Sequence, residues 1–128
     1  MTGPVEGRVV RFDGVDLVEV VAHDGVGALR TARVVERPPG EFVTFLDLTV
    51  IPPGVSVGTH THGSEDEEIY VVIDGTGTVE LDGRVTEVGA GDVIINPPGG
   101  THGLVATGQV PLRMVVVDVA RVRPPASS

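Results

Sequence analysis

Short apolar runs separated by tight turns are the feature that most restricts the fold of this chain. Glycine (18 residues) and proline (10 residues) interrupt a sequence rich in valine. Asp-Gly pairs at positions 74–75 and 82–83 lie between apolar runs, and a tight hairpin turn needs the positive φ angles that such pairs adopt. We expect no helix, and the pattern predicts an antiparallel sandwich or barrel. The predicted strands cover residues 8–12, 15–22, 29–36, 42–51, 69–73, 77–81, 84–88, 93–96, 101–106 and 111–120.

The length and hydrophobic content predict one folded domain. A chain of 128 residues fits a single domain, and its 41% hydrophobic residues are enough for a core. We place the domain at residues 8–120. Residues 1–7 are expected to form a flexible N-terminus, and residues 121–128 a disordered C-terminal tail.

Charge and composition exclude several partners. The formal net charge is −9, which argues against nucleic acid and against an anionic membrane surface, because both need clustered Lys and Arg. No apolar run approaches the ~18 residues of a membrane span, and the start, MTGPVEGRVV, lacks the basic and apolar blocks of a signal peptide. We therefore expect a cytoplasmic protein. Cysteine is absent, so any metal must be held by nitrogen and oxygen atoms.

Histidines and acidic residues cluster in two stretches. His60 and His62 are two positions apart, so on an extended strand both side chains point to one face. Glu68 follows after a polar loop, and His102 lies in the second stretch, residues 91–105. Neutral imidazoles with a carboxylate suit divalent transition metals. His23 lies outside both stretches, and we expect it to be a solvated turn residue.

These two stretches resemble the two motifs of the cupin superfamily. The first motif, G-x5-H-x-H-x(3,4)-E-x6-G, matches residues 54–75, except that five residues rather than three or four precede Glu68. Glu67 would satisfy that gap but would miss the spacing to the following glycine, so we prefer Glu68. The second motif, G-x5-P-x-G-x2-H-x3-N, matches from position 91 through His102 and departs at Ala106, where the family has Asn.

The resemblance implies a fold and a metal site. The fold would be an antiparallel all-β jelly-roll barrel, the double-stranded β-helix, with residues 54–106 as its motif core. The site would hold one divalent transition metal per chain, with Fe(II) favoured and Mn, Ni, Co or Zn as alternatives. The family's metal ligands correspond to His60, His62, Glu68 and His102.

Four protein ligands on a six-coordinate metal leave two positions for a chelating small organic substrate. We favour dioxygenase-type oxidation, and the alternatives are a metal-dependent isomerase, cyclase or dehydratase, or a non-enzymatic binder of metal or a small ligand. Tyr70 and Glu67 are candidate catalytic residues that would shuttle protons. Asn96, Thr59 and Thr101 are weaker candidates for groups that surround the ligands. Because cupins often dimerise through strands outside the motif core, the residues before Gly54 predict a homodimer.

Overall fold

The chain folds into an antiparallel jelly-roll barrel of two sheets. The computed structural model describes residues 6–122, so the terminal expectations for residues 1–5 and 123–128 lie outside the described part. Every strand pairing in it is antiparallel, which confirms the predicted all-β double-stranded β-helix. The strands are β1 (Val18–Val20), β2 (Leu29–Glu36), β3 (Phe45–Ile51), β4 (Ser56–Thr61), β5 (Asp66–Asp74), β6 (Thr76–Leu81), β7 (Arg84–Gly89), β8 (Val93–Asn96), β9 (Thr101–Thr107) and β10 (Leu112–Ala120).

The two sheets form the walls of the barrel. One has six strands in the order β1-β2-β3-β10-β5-β8, and the other has four in the order β4-β9-β6-β7. Asp82 and Gly83 both have positive φ, at 48° and 84°, and join β6 to β7 in the hairpin expected from the sequence. The hairpin expected at positions 74–75 is wrong, because there the chain passes from β5 in one sheet to β6 in the other. The first motif begins in the four-stranded sheet and ends in the six-stranded sheet, so a site between the walls receives ligands from both.

The N-terminal part departs from the prediction. The strand expected over residues 8–12 is wrong, because this segment is irregular and ends in a 3-10 turn at Phe12–Gly14. The strand expected over 15–22 shrinks to Val18–Val20. The guanidinium of Arg113 lies 4.3 Å from the Phe12 ring centroid and 2.8 Å from Asp13 Oδ1. Arg8 also donates a hydrogen bond to the Val34 carbonyl of β2. Side-chain contacts to β10 and β2 therefore hold this segment, rather than the backbone ladder of a strand.

Polar and apolar residues occupy different levels of the barrel interior. Alternate residues of β5 face inward, because Glu68, Tyr70 and Val72 are buried while their neighbours are more exposed. Each of these β5 residues is paired with a residue of β10, and Glu68 and Tyr70 are also paired with residues of β8, so the inward-facing side chains form rows across the sheet. The first row is polar, whereas the third joins an apolar floor. The rows are Asp118–Glu68–Asn96, Val116–Tyr70–Ile94 and Met114–Val72.

Two expectations about location and assembly stay predictions. Within residues 6–122, no helix is long and apolar enough to cross a membrane. The cytoplasmic location and the homodimer have no test in a single chain.

Candidate metal centre

Four residues from both walls meet at the polar end of the barrel. His60 on β4 is directly paired with His102 on β9, and Glu68 lies on the facing β5. His62 follows the last residue of β4, where its backbone N–H donates to the Gly100 carbonyl at 3.0 Å. One ligand atom from each of His60, His62, Glu68 and His102 lies within 4.8 Å of the other three. The structure thus brings together the four side chains predicted as metal ligands.

The ring nitrogens of this cluster are arranged for a cation. The Nδ1–H of His60 donates to the Gly58 carbonyl at 2.8 Å, and Nδ1 of His62 lies 3.0 Å from Asp66 Oδ2. Each partner accepts a hydrogen bond from the Nδ1–H group, which leaves the lone pair on Nε2. Among the described residues, both of these Nε2 atoms are buried without a hydrogen-bond partner. Such orphaned acceptors beside a carboxylate fit a divalent metal.

Glu68 is the charged member of the cluster. Its Oε1 lies 3.4 Å from His62 Nε2 and 3.5 Å from His102 Nε2. Burial is the largest single influence and pushes the pKa of Glu68 upward, but hydrogen bonds from His102 and Tyr70 outweigh it and lower the pKa. Burial also lowers the pKa of His60. At neutral pH the cluster therefore offers a carboxylate and a neutral imidazole, the forms that bind metals.

The two proposed catalytic residues lie on opposite sides of β5. Tyr70 shares the inward face with Glu68, is 3% exposed, and its hydroxyl lies 3.1 Å from His102 Nε2. Burial, followed by the charge of Glu68, raises the pKa of Tyr70 well above 10. Its hydroxyl therefore keeps its proton at neutral pH. Glu67 has the opposite parity, pairs with the exposed Val119, and is not brought into the cluster.

His23 contacts the site, although no sequence pattern indicates this contact. Its ring stacks on the His60 ring at 3.4 Å between centroids and 8° between planes. The residue does lie in an exposed turn, with φ of 51°, as expected. Its ring also contacts His60, because the turn is fixed against β4 by the hydrogen bond from the Gly58 N–H to the Ala22 carbonyl at 3.0 Å. A contact between two segments that only the fold brings together produces no periodic pattern of residues in the sequence.

Gly58 controls this approach. A Cβ atom on Gly58 would lie 1.9 Å from the His23 carbonyl oxygen, so a side chain would force the backbone of the turn away from β4. We expect Gly58→Ala to lower the free energy of unfolding by about 1–3 kcal/mol, measured by urea denaturation. Gly63→Ala is the control, because its Cβ would have nothing within 4 Å. Equal midpoints for Gly58→Ala and the wild type would contradict the close approach.

Two further carboxyl groups lie behind His62. Atoms of His62, Asp66 and Asp118 lie within 4.8 Å of one another, and Asp118 is 3% exposed. Burial, followed by the hydrogen bond and negative charge of Asp66, raises the pKa of Asp118 from 3.8 to about 7. A protonated Asp118 can donate to Asp66, which in turn accepts from His62. Because β10 reaches β5 only through long-range pairing, the sequence did not reveal this contact.

The raised pKa makes Asp118 a source of pH-dependent instability. The unfolded carboxyl ionises near pH 3.8, whereas the folded one resists ionisation up to about pH 7, so stability falls as pH rises through that window. In metal-free protein at pH 8, we expect Asp118→Asn to raise the free energy of unfolding by about 1–2 kcal/mol, less than a full conversion at about 1.4 kcal/mol per pKa unit, because Asp118 and Asp66 share the shift.

The difference in the free energy of unfolding between Asp118→Asn and the wild type should shrink towards zero at pH 4. Urea denaturation from pH 4 to 8 measures it, with the exposed Asp16→Asn as the control. An Asp118→Asn variant less stable than wild type at pH 8 would contradict the assignment.

Comparison with known proteins agrees with the fold described above. The family model described as "Cupin domain" matches residues 47–118, more than half of the chain. A solved structure described as a predicted oxalate decarboxylase from Thermotoga maritima superimposes with a TM-score of 0.79 at 25% identity, covering 88% of this chain and 99% of that one.

Curated relatives match over part of their length. The oxalate-binding protein of Thermotoga maritima is 37% identical over 69 residues, which is 54% of this chain and 56% of that protein. Mannose-1-phosphate guanylyltransferase of Escherichia coli is 34% identical over 110 residues, which is 79% of this chain and 22% of that enzyme. The chain therefore spans about half of the first relative and about a fifth of the second.

Proposed function

The chain belongs to the cupin domain family, and from this premise we propose that it is a metal-dependent oxidase of small organic acids. The substrate would chelate the metal through two oxygen atoms, and its oxidation by O2 would be of the dioxygenase type. The observation that carries the proposal is the convergence of three imidazoles and one carboxylate within 4.8 Å at the polar end of the barrel. Four such ligands leave open positions on a six-coordinate metal, unlike a closed structural site.

The donor set is compatible with Fe(II), which we favour, and with Mn, Co, Ni or Zn. A bound metal would supply Lewis-acid polarisation of the substrate oxygens and, for iron, reactivity towards O2. The protein's own side chains would supply charge and hydrogen bonds. Glu68 supplies one negative charge, and the Tyr70 hydroxyl offers a proton for a hydrogen bond beside His102. The inward-facing residues of the lowest row, Val72 and Met114, are apolar and buried.

The positions of the candidate bases favour oxidation over isomerisation. An isomerase, cyclase or dehydratase needs a side chain that takes a proton from the bound substrate. Glu67 lies on the outward parity of β5, and the raised pKa of Tyr70 keeps its hydroxyl protonated at neutral pH, so that it cannot take up a proton. Oxidation of a metal-chelated acid does not depend on either residue as a base, so the geometry supports it better.

The names of two similar proteins support the substrate class. One relative is an oxalate-binding protein, and a solved structure is described as a predicted oxalate decarboxylase. Oxalate chelates metals through two oxygens, as the open positions require. The guanylyltransferase name is not carried over, because the match covers 22% of that enzyme and this sequence has no Gly-rich phosphate loop after a strand.

Reconstitution with Fe(II) tests the proposal. We expect about one iron per chain by elemental analysis after anaerobic loading. Adding glycolate or an enol in air should then start oxygen uptake, and with labelled O2 the label should appear in the carbon products. Oxalate is the competing ligand in this assay, because its oxidation to two CO2 would reduce O2 to H2O2 and incorporate no label. No metal binding would overturn the metal-dependent function. Metal and acid binding without oxygen uptake would replace the oxidase by a non-enzymatic binder, the reading that the oxalate-binding relative offers.

A further inference from the structure

The side-chain amide of Asn96 is buried without the hydrogen bonds that such a group normally forms. It is 1% exposed, and within the described part of the chain neither its Oδ1 nor its Nδ2 has a hydrogen-bond partner. A buried amide without partners costs about 1–3 kcal/mol, so such groups are normally satisfied by protein, water or ligand. The two atoms have different needs, because Nδ2 requires an acceptor and Oδ1 requires a donor.

The strand register places this amide beside the metal centre. Asn96 on β8 is directly opposite Glu68 on β5, and both residues belong to the buried, inward-facing set. Directly opposed residues of an antiparallel pair have Cβ atoms about 5 Å apart. Asn96 therefore lies next to a proposed metal ligand in the polar row, where a molecule bound to the metal would meet it.

We infer that Asn96 recognises the metal-bound substrate and selects an α-hydroxy acid over a bare dicarboxylate. This inference rests on the proposed function. The Nδ2 group of Asn96 would donate to a carboxylate oxygen, and its Oδ1 would accept the hydroxyl proton. Oxalate presents acceptors alone at neutral pH, so it would leave Oδ1 unsatisfied. A site built around a substrate hydroxyl discriminates strongly against analogues that lack it.

The charge around the site favours the same class. Glu68 contacts histidines, and Asp66 and Asp118 add carboxyl groups behind His62. Arg121, the arginine next to this region, is paired with Glu65 instead. A monoanion and Glu68 together neutralise a divalent metal, whereas a dianion leaves an excess negative charge among these carboxyl groups. Excess charge in a desolvated site is unfavourable.

Binding measurements on manganese-loaded protein test the inference without any turnover. Isothermal titration calorimetry gives the Kd of glycolate and of oxalate for the wild type and for Asn96→Leu, which keeps the side-chain size and removes both polar atoms. Elemental analysis after each titration checks that the acid has not extracted the metal. A separate titration with manganese gives the Kd of the metal itself.

We expect the wild type to bind glycolate more tightly than oxalate. Asn96→Leu should weaken glycolate binding at least about tenfold, oxalate binding less, and metal binding less than about threefold. Asn96→Ala, which cannot overpack the barrel, should reproduce the pattern if the leucine variant fails to fold.

Each contrary result has a separate meaning. Unchanged glycolate affinity in a folded variant overturns the inference, since the amide then serves a buried water. An equal loss of metal and acid affinity also overturns it, because Asn96 would then support Glu68 rather than the ligand. If the wild type prefers oxalate, the inferred selectivity for a hydroxyl group is wrong, whereas the proposed function is unaffected. A wild type that holds manganese but binds neither acid contradicts the proposed substrate class and this inference with it.

Discussion

Replacing Glu68 with glutamine should lower the affinity for Fe(II) or Mn(II) by at least about 100-fold while leaving the barrel folded. Glutamine keeps the shape of the side chain but removes the negative charge, and a neutral amide oxygen is a much weaker ligand for a divalent cation than a carboxylate. The Glu68 carboxylate lies at the centre of the cluster, with Oε1 3.4 Å from His62 Nε2 and 3.5 Å from His102 Nε2. Metal titration, followed by elemental analysis of dialysed protein, measures the effect.

The neighbouring residue provides a matched control. Glu67→Gln makes the same chemical change one position away, on the outward parity of β5, so its metal affinity should stay within about threefold of wild type. This pair of variants also decides between the two glutamates that the motif spacing left open. A larger loss in Glu67→Gln than in Glu68→Gln would mean that the assignment of the carboxylate ligand is wrong.

Loading the centre with metal should raise the thermal stability strongly. A ligand that binds only the folded state stabilises it by about 4 kcal/mol when present at 1,000 times its Kd. For a chain of this size, we expect a rise in Tm of roughly 10–20 °C. The structural reason is that the buried Nε2 atoms of His60 and His62, which have no hydrogen-bond partner within residues 6–122, would coordinate the metal through their lone pairs.

Differential scanning calorimetry of apo and reconstituted protein measures this rise. In Glu68→Gln the same metal concentration should raise Tm by only a small fraction of the wild-type value, since binding is weak. A second treatment with chelator should return the wild type to its apo Tm. Equal apo and metal-loaded Tm values in the wild type would contradict binding to the folded state at this site.

Most of the barrel could be predicted from local sequence patterns, because these patterns reflect the conformational preferences of neighbouring residues. Asp82-Gly83 favours positive φ without help from the rest of the chain, and the hairpin formed where expected. The spacing of His60, His62, Glu68 and His102 matched a motif whose strand geometry brings these side chains together. Alternation within β5 also placed Tyr70 on the same side as Glu68.

The unpredicted features depend on contacts between distant segments. His23 reaches His60 only because the chain approaches Gly58 closely, and Asp118 lies behind His62 only through the pairing of β10 with β5. Residues 8–12 form a short, mostly apolar run that predicts a strand, yet the contacts of Arg113 hold the end of that segment in a turn. In each case the deciding partner lies elsewhere in the sequence, so periodicity carries no information about it.

The direct pairing of His60 with His102 has a consequence for how the molecule folds. These histidines lie on strands far apart in the chain, and Glu68 comes from the opposite wall. An unfolded chain offers a metal only the short His60-x-His62 pair, so the complete centre forms after β9 has docked. Barrels dominated by such long-range pairings fold slowly, in milliseconds to seconds. Interactions that form late change the unfolding rate rather than the folding rate. The metal would thus prolong the lifetime of the finished barrel without guiding its assembly.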